Sequence, residues 1–299
     1  MNFTIANTLD EALAAEASGA RPVAGGSDLV VGARQGKAPL PEAVVAIDRI
    51  TSLAGIDSSA DGVTIGALVT HARLLSDATI VGNYTALADA SALVGSPSTR
   101  NVGTLGGNVM NASPAMDTGA PLMVFGAEVE LRSATAARRV GVAELWTAPG
   151  KTSARDDELC TMVHLPSRPA RSGSAYVRLE YRRAMEIAVV GAAASVALDE
   201  SGGIVALSVA LTAVAPTIIA VDGLDSLRGR QVDDALLAEV AALASARAVP
   251  ISDLRASDRY RRHCVGVMAR RAVDAAARRA RGESITVPVN RSLGIGAAS

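Results

Sequence analysis

Two glycine-rich segments constrain this chain more than any other feature of its sequence. They are Ala24-Gly25-Gly26-Ser27-Asp28 and Thr104-Leu105-Gly106-Gly107-Asn108. Glycine lets the backbone approach a ligand closely, and backbone N–H groups at the beginning of a helix favour phosphate. A single Gly-Gly pair more often marks an ordinary turn with positive φ, and the spacing matches neither the Rossmann motif nor the P-loop. We predict that the two segments together form cradles that converge on one extended diphosphate.

Length, charge and metal-binding residue types narrow the class of protein. The chain has 299 residues, enough for about two domains, and 29 basic residues balance 30 acidic ones. This balance gives no field that would attract nucleic acid. The two cysteines and three histidines are scattered, so a metal ion or iron–sulfur cluster held by this chain is not expected. Any redox chemistry would need an organic cofactor.

Nothing in the sequence predicts export or membrane insertion. Acidic residues occupy the N-terminal region where the apolar core of a signal peptide would lie. The most apolar run, Ile204 to Val221, is interrupted by Ser208, Thr212 and Pro216, and its residues alternate in size. We predict a buried strand and a turn there, two buried cysteine thiols, and a cytoplasmic location.

The first elements can be predicted from capping and turn residues. Thr8 to Glu11 form a capping box for a short helix, and Gly19 is placed to end it. A brief strand, the first glycine turn and a helix over residues 28–35 follow, with Ser27 as the expected N-cap. The order is therefore strand, glycine turn, helix.

Periodicity predicts an α+β architecture for the remainder. Strands are expected at Val44–Ile47, Val63–Ala67, Ala127–Arg132, Leu159–Leu165, Ala175–Tyr181, Ala188–Leu198 and Ile204–Ala213. Helices are expected near Tyr84–Leu93, Ala120–Phe125, Asp233–Ala246 and Ser257–Arg281. The composition of Ser167–Ser174 indicates a linker between two units.

The last long helix is rich in arginine, and the chain ends in a segment without clear periodicity. The arginines are Arg261, Arg262, Arg270, Arg271, Arg278 and Arg279. Because apolar residues lie among them and few aromatics are present, we expect a solvated amphipathic face and not a nucleic-acid site. We expect the segment from Gly282 to Ser299 to be an extended, loosely ordered tail.

A polar loop, Asn111 to Thr118, follows the second glycine segment. Asp117 or Thr118 can cap the helix after it, or can contact a ligand, because capping residues and ligand residues use the same atoms. The local pattern leaves both alternatives open.

Several motifs in a fixed order resemble one known family. They are AGGSDL at Ala24–Leu29, TIGALVTHARL at Thr64–Leu74, TRNVGTLGGNVMNASPAMDTGAPLMVFGAEVEL at Thr99–Leu131, YRRAMEIAVVGAAASVAL at Tyr181–Leu198 and YRRHCVGVMARRAV at Tyr260–Val273. Together they resemble the FAD-binding medium subunit of the molybdenum hydroxylases, the class of xanthine dehydrogenase and aerobic carbon monoxide dehydrogenase. Ordered motifs are far more specific than any one of them.

The resemblance implies a fold and a division of the chain. It implies a two-lobed FAD-binding domain of the PCMH/vanillyl-alcohol-oxidase-like type at residues 1–172, with a lobe boundary near residue 55. A C-terminal domain of the CO dehydrogenase flavoprotein type, a small antiparallel sheet with a helical bundle, would span residues 173–285. A tail at residues 286–299 would follow.

The resemblance also implies a set of FAD contacts. The two glycine segments would hold the FAD diphosphate, Asp117 would contact the ribityl region, and the strand at Leu159 would lie beside the isoalloxazine. Glu186 departs from the family pattern, in which aspartate is usual. We expect non-covalent FAD, because neither glycine segment contains histidine, and a structural role for His71.

Partners follow from the same resemblance. A large molybdopterin subunit and a small subunit with two [2Fe–2S] clusters would assemble with this chain as a dimer of heterotrimers. The chain would then serve an oxidoreductase as its electron-transfer subunit to an external acceptor, without catalytic residues or metal ligands of its own. Two alternatives stay open: a stand-alone FAD-dependent oxidoreductase of the same superfamily, and a flavin-free assembly module.

Overall fold

The computed structural model describes residues 2–36 and 39–295. The strands are β1 (Asn2–Ile5), β2 (Arg21–Val23), β3 (Ala43–Ala46), β4 (Ile56–Ser59), β5 (Gly62–Gly66), β6 (Glu128–Arg132), β7 (Ala137–Gly141), β8 (Trp146–Ala148), β9 (Lys151–Thr152), β10 (Leu159–Pro166), β11 (Ser172–Leu179), β12 (Val190–Leu198), β13 (Ile204–Thr212) and β14 (Ile219–Ala220). The helices are α1 (Leu9–Ala17), α2 (Leu29–Arg34), α3 (His71–Ser76), α4 (Ala78–Asn83), α5 (Thr85–Leu93), α6 (Pro97–Val102), α7 (Leu105–Asn111), α8 (Gly119–Val124), α9 (Val142–Leu145), α10 (Asp234–Arg247), α11 (Asp258–Ala280) and α12 (Val289–Ser292). Short 3-10 turns lie at Thr51–Leu53 and Leu224–Leu227.

The N-terminal region forms a small parallel sheet with strand order β1-β3-β2. The predicted capping box is present, because the Thr8 hydroxyl accepts from the Glu11 N–H and the Glu11 carboxylate accepts from the Thr8 N–H. Leu13 of α1 packs on this sheet with Val45. The first glycine segment follows β2 directly, so the sheet fixes where that segment begins.

Helices α5 and α7 pack on one face of the second sheet, and α7 contains most of the second glycine segment. The strand order of this sheet is β4-β5-β10-β6-β7, and every neighbouring pair is antiparallel. The central strand β10 alternates inward residues such as Val163 and Leu165, which are buried with Leu87 of α5 and Leu105 of α7. This alternation is the pattern of a strand with one face on a core. This packing places α7 against the inner face of the sheet.

The C-terminal half is a four-stranded antiparallel sheet, β11-β12-β13-β14, covered by the long helices α10 and α11. All nine residues of β12 are buried. They are mostly alanine and valine, which fits a central strand with both faces covered, since α11 packs on one side and α8 on the other. The predicted α+β architecture, with a C-terminal antiparallel sheet and helices, is confirmed. The run from Ile204 contains the expected strand, β13, but it is buried only at Ile204 and from Val209 to Thr212, and Val205, Ala206 and Ser208 are exposed.

The helix α5 of the first half is tied to the C-terminal half by a buried carboxylate. Asp89 is fully buried and pairs with Arg279 of α11, with 3.1 Å between Asp89 Oδ1 and Arg279 Nη2. Asp89 also accepts from the backbone N–H groups of Tyr176 (3.2 Å) and Val289 (2.9 Å). Three separate segments therefore depend on one side chain.

Three details of the sequence interpretation were wrong. Ser27 does not cap α2: the N-cap is Asp28, in αR conformation and without a capping hydrogen bond. The arginine-rich helix is only partly solvated, since the side chains of Arg261 and Arg279 are 4% and 7% exposed in ion pairs. The segment after Gly282 is not loosely ordered up to residue 295, because Val289 and Asn290 are buried; residues 296–299 lie outside the described part.

Within the described residues, no helix combines the length and the apolarity needed to cross a membrane.

Candidate functional site

The two glycine segments meet, as predicted. Gly25 lies against the backbone of Val102, just before the second segment: a Cβ added at Gly25 would stand 1.8 Å from the Val102 carbonyl oxygen. A Cβ added at Gly103 would stand 3.6 Å from the Ser27 Oγ. The first segment is thus in direct contact with Val102 and Gly103, which lead into the second segment, although about eighty residues separate the two segments. This contact alone requires glycine at position 25, whether or not a ligand also approaches the backbone there.

Residues 67–71, which follow β5, form backbone hydrogen bonds with the second segment and with Gly103 before it. The Gly106 N–H donates to the Ala67 carbonyl (2.9 Å), the Leu105 N–H to the Val69 carbonyl (2.9 Å), and the His71 N–H to the Gly103 carbonyl (3.1 Å). A Cβ at Gly106 would stand 2.5 Å from the Ala67 Cβ. The position of Gly106 is therefore fixed by backbone packing.

Backbone amides near the meeting point are left without a partner. In the described part of the chain, the N–H groups of Gly25, Gly26, Ser27 and Thr104 donate to no other residue. The N–H groups of Gly107 and Asn108, in contrast, are used by Thr104, through its Oγ1 (3.1 Å) and carbonyl (3.0 Å). Unpaired amide donors clustered at one place suit the oxygens of a diphosphate. The residues present therefore fit the diphosphate of FAD.

Side chains add further donors next to these amides. Asn108 Oδ1 accepts from the Thr118 hydroxyl at 2.6 Å, so the amide nitrogen of Asn108 is turned away from Thr118. Gly107 is exposed, and a Cβ there would meet only the Thr104 Oγ1, at 2.9 Å. The helices α2 and α7 have only six and seven residues, so their macrodipoles are small. The positive potential at the site therefore comes mainly from the individual amides.

Asp117 is buried in an ion pair and not in an open site. Its Oδ2 lies 2.7 Å from Arg178 Nη1, and its Oδ1 accepts from the Tyr176 hydroxyl at 2.8 Å. Burial raises the pKa of Asp117, and the charge of Arg178 acts in the opposite direction. Neither Asp117 nor Thr118 makes a side-chain cap for α8. Capping alone thus does not explain this position, and the contact of Asp117 with FAD stays a prediction.

Arg178 is the main residue near the site that the sequence interpretation missed. It is completely buried and also bonds Glu180 (2.8 Å from Nε to Oε2) and the Glu186 carbonyl (3.3 Å). Its backbone N–H donates to Asn290 Oδ1 at 3.1 Å. Arg178 lies near the end of β11 and Glu180 directly follows the strand, so the alternation of an extended chain puts the two side chains on the same side. An arginine and a glutamate two residues apart in a predicted strand were the sequence signal that could have revealed this ion pair.

The loop after β11 contains the departure from the family pattern. The Glu186 carboxylate accepts from the Ile187 N–H at 3.0 Å and lies 3.5 Å from Arg182 Nε. The longer side chain therefore folds back on its own loop. Tyr181 and Met185 are more than half exposed in the same loop.

Leu159 begins β10 and is 5% exposed. It packs in the core of the N-terminal lobe together with Leu68 and with Ala24 of the first glycine segment. The structure thus brings this strand close to the first cradle. Its position beside the isoalloxazine stays a prediction.

No group of three or more His, Cys, Asp or Glu side chains is arranged to hold a metal ion in the described residues. Cys160 and Cys264 are free and buried, as expected. Burial is the main cause that raises the pKa of the Cys160 thiol to about 12.

Comparison with known families covers most of the chain. Residues 1–168 match the family described as FAD binding domain in molybdopterin dehydrogenase. Residues 175–276 match the CO dehydrogenase flavoprotein C-terminal domain.

Individual relatives agree with these matches. The carbon monoxide dehydrogenase medium chain of Afipia carboxidovorans is 35% identical over 264 residues, 88% of this chain and 90% of the relative. The xanthine dehydrogenase FAD-binding subunit of Escherichia coli O157:H7 is 29% identical, covering 94% of this chain and 96% of its own length. A crystal structure of Cu,Mo-CO dehydrogenase superposes with a TM-score of 0.89 at 31% identity, over 93% of this chain and 98% of that chain. The chain belongs to the family of FAD-binding medium subunits of the molybdenum hydroxylases, which are subunits of oxidoreductase complexes.

Proposed function

We propose that this chain holds FAD between its two glycine segments and serves as the electron-transfer subunit of a three-component molybdenum enzyme. Electrons would come from [2Fe–2S] clusters on a small partner subunit and leave to an external acceptor. A large molybdopterin subunit would carry out the reaction on the substrate. We place the complex in the cytoplasm, as a dimer of heterotrimers.

The observation that carries the proposal is the group of unpaired backbone donors where the two segments meet. Four amides, those of Gly25, Gly26, Ser27 and Thr104, are not used by the described part of the chain. Thr104 is buried, Gly26 and Ser27 are half-buried, and Gly25 is exposed. A buried donor without a partner costs about 1–3 kcal/mol, which a ligand oxygen offsets. A dinucleotide diphosphate presents several such oxygens within a few ångströms.

Each part of the site has a distinct role in this proposal. The residues that we assign to FAD are Ala24, Gly25, Gly26, Ser27, Asp28, Thr104, Leu105, Gly106, Gly107, Asn108, Asp117 and Leu159. The first segment and Thr104 bind the diphosphate through amides. Gly106 fixes the second segment against Ala67, and Arg178 holds Asp117 at the edge of the C-terminal sheet. When bound, FAD supplies a redox group that accepts electrons singly or in pairs.

The relatives support the partners but differ in the substrates that they name. Carbon monoxide, xanthine and quinoline appear in the names of proteins similar to this chain. Because one kind of medium subunit serves all of them, we infer that the substrate is selected on the large partner subunit. The division into domains at residues 1–172 and 173–285, with a lobe boundary near residue 55, belongs to the same proposal.

The test is affinity purification of the tagged full-length chain from its native host, followed by absorbance and metal analysis of each polypeptide. We expect flavin together with molybdenum in a larger partner and iron in a smaller one. Flavin in a lone polypeptide that turns over a substrate would support a stand-alone oxidoreductase instead. A chain that binds partners but no flavin would support an assembly module.

A further inference from the structure

His71 lies where the two glycine segments meet. It begins α3, is 1% exposed, and its backbone N–H donates to the Gly103 carbonyl. The ring atom Cδ2 of His71 and the Oγ of Ser27 stand 3.4 Å and 3.6 Å from the point where a Cβ on Gly103 would be. One edge of the imidazole and the Ser27 hydroxyl therefore both lie next to Gly103, the residue that precedes the second glycine segment.

The imidazole has no hydrogen-bond partner that would explain its burial. Its Nδ1 is buried and bonds to nothing in the described part of the chain. His164, a less buried histidine of the neighbouring sheet, has one paired ring nitrogen, because its Nδ1 lies 3.1 Å from the Thr64 Oγ1, although its Nε2 is buried without a partner. Buried polar side chains are usually paired, and those that are not often mark a functional site. Nδ1 lies on the side of the ring away from Cδ2, so it is not the atom next to Gly103. Nε2, which is bonded to Cδ2, also has no hydrogen-bond partner in the described part of the chain but is not among its fully buried atoms. Nε2 is therefore the ring nitrogen that a ligand could reach.

The ring is uncharged at neutral pH. Burial, with a smaller contribution from the positive charge of Arg100, lowers the pKa of His71 to about 4. A neutral imidazole carries one N–H, which can be on either nitrogen. Nε2 is bonded to Cδ2, the atom that faces Gly103, so a proton on Nε2 would be on the edge that faces the glycine segments.

We propose that His71 is a further FAD-binding residue, whose imidazole donates one hydrogen bond from Nε2 to a diphosphate oxygen lying between Ser27 and Gly103. This inference rests on the proposed function, because it needs a dinucleotide in the cradle. It adds a side-chain donor to the backbone amides. It also replaces the purely structural role that the sequence suggested for His71.

The test compares two substitutions at His71 in the full-length chain, purified with the partners that it brings along. His71→Phe keeps a flat ring of similar size and removes the N–H, whereas His71→Gln keeps a donor at a similar reach. His164→Phe is the matched control in the same sheet region. The readout is the dissociation constant for FAD after the flavin has been removed, with the melting temperature of each flavin-free variant measured alongside.

We expect His71→Phe to weaken FAD binding about ten- to hundredfold, the usual range for a hydrogen bond to a charged group. His71→Gln should recover most of this loss, and His164→Phe should bind FAD as the wild type does. Wild-type affinity in His71→Phe would overturn the inference. Equal losses in the Phe and Gln variants would overturn it too, since they would indicate a role in packing.

A second readout is the ring nitrogen signals of the full-length chain labelled with ¹⁵N-histidine, which has three histidines to assign. We expect the His71 signals to shift with FAD and to stay unchanged with riboflavin, which lacks phosphates. Unchanged signals with FAD bound would contradict the inference. A wild-type chain that binds no FAD at all would instead refute the proposed function, so the two failures can be told apart.

Discussion

The α-carbon of Gly25 lies so close to the carbonyl oxygen of Val102 that a Cβ at position 25 would stand 1.8 Å from that oxygen. This contact joins the first glycine segment to the residues that lead into the second. Because the obstacle is backbone, no side-chain movement can relieve it.

We predict that Gly25→Ala forces the two segments apart and weakens FAD binding by roughly tenfold or more, as expected when one or two hydrogen bonds to a charged group are lost. Gly32→Ala is the control in the adjacent helix, where nothing lies within 4 Å of the added Cβ. FAD content per chain, measured by absorbance after purification, reports the difference. Equal FAD content in the two variants would contradict the role given to this contact.

The buried pair between Asp89 and Arg279 should carry much of the coupling between the two halves. Asp89→Asn leaves the Arg279 charge buried without its partner, which typically costs about 3–5 kcal/mol. Asp234→Asn is the control. The Asp234 side chain is 91% exposed, so its ion pair with Arg270 should contribute less than about 1 kcal/mol. Urea denaturation of both variants tests this. Similar free energies of unfolding would show that Asp89 is not a junction residue.

Glu16 should make stability depend on pH. Burial, with smaller contributions from Asp157 and Glu158, raises the pKa of Glu16 from 4.5 to about 7. Because the folded state holds this proton more tightly, its stabilising contribution is complete below about pH 4.5 and is lost as the pH rises through 7. His71, with its pKa lowered to about 4, acts in the opposite direction, so the comparison must use a variant of Glu16 itself.

The experiment measures urea midpoints for the wild type and Glu16→Gln at pH 5 and pH 8. We expect the wild type to lose more stability than the variant over this range. Parallel changes in the two proteins would be inconsistent with a raised pKa at Glu16.

Cys160 should be unreactive in the folded chain. It is buried in β10, and its raised pKa keeps it as a thiol, whereas alkylation needs the thiolate. We expect no labelling of Cys160 by iodoacetamide at pH 8 and full labelling in urea, both followed by mass spectrometry. Rapid labelling without urea would refute the burial of this strand.

Local signals predicted much of the fold. The capping box at Thr8 and Glu11 and the alternating residues of β10 are properties of neighbouring residues, and both are present in the structure. Ser27 was wrong as an N-cap because Gly26 takes a positive φ of 65° and α2 begins only at Leu29, so Asp28 takes the N-cap position.

Long-range pairs could not be predicted from local signals. Asp117 was read as a cap or a ligand residue because its partner Arg178 lies 61 positions away. The segment after Gly282 lacks periodicity, yet Asn290 is buried because it bonds the backbone of Arg178. The burial of His71 likewise depends on the contact between segments that are distant in sequence. In each case a tertiary contact decides the conformation.

The measurement that tests the central claim most directly is hydrogen exchange of the full-length chain, purified with its partners, with and without FAD. If FAD binds at the unpaired amides, exchange should slow in peptides that cover Gly25 to Ser27 and Thr104. Peptides from β13 should not change. Protection confined to other regions, or no protection at saturating FAD, would contradict a cofactor site between the two glycine segments.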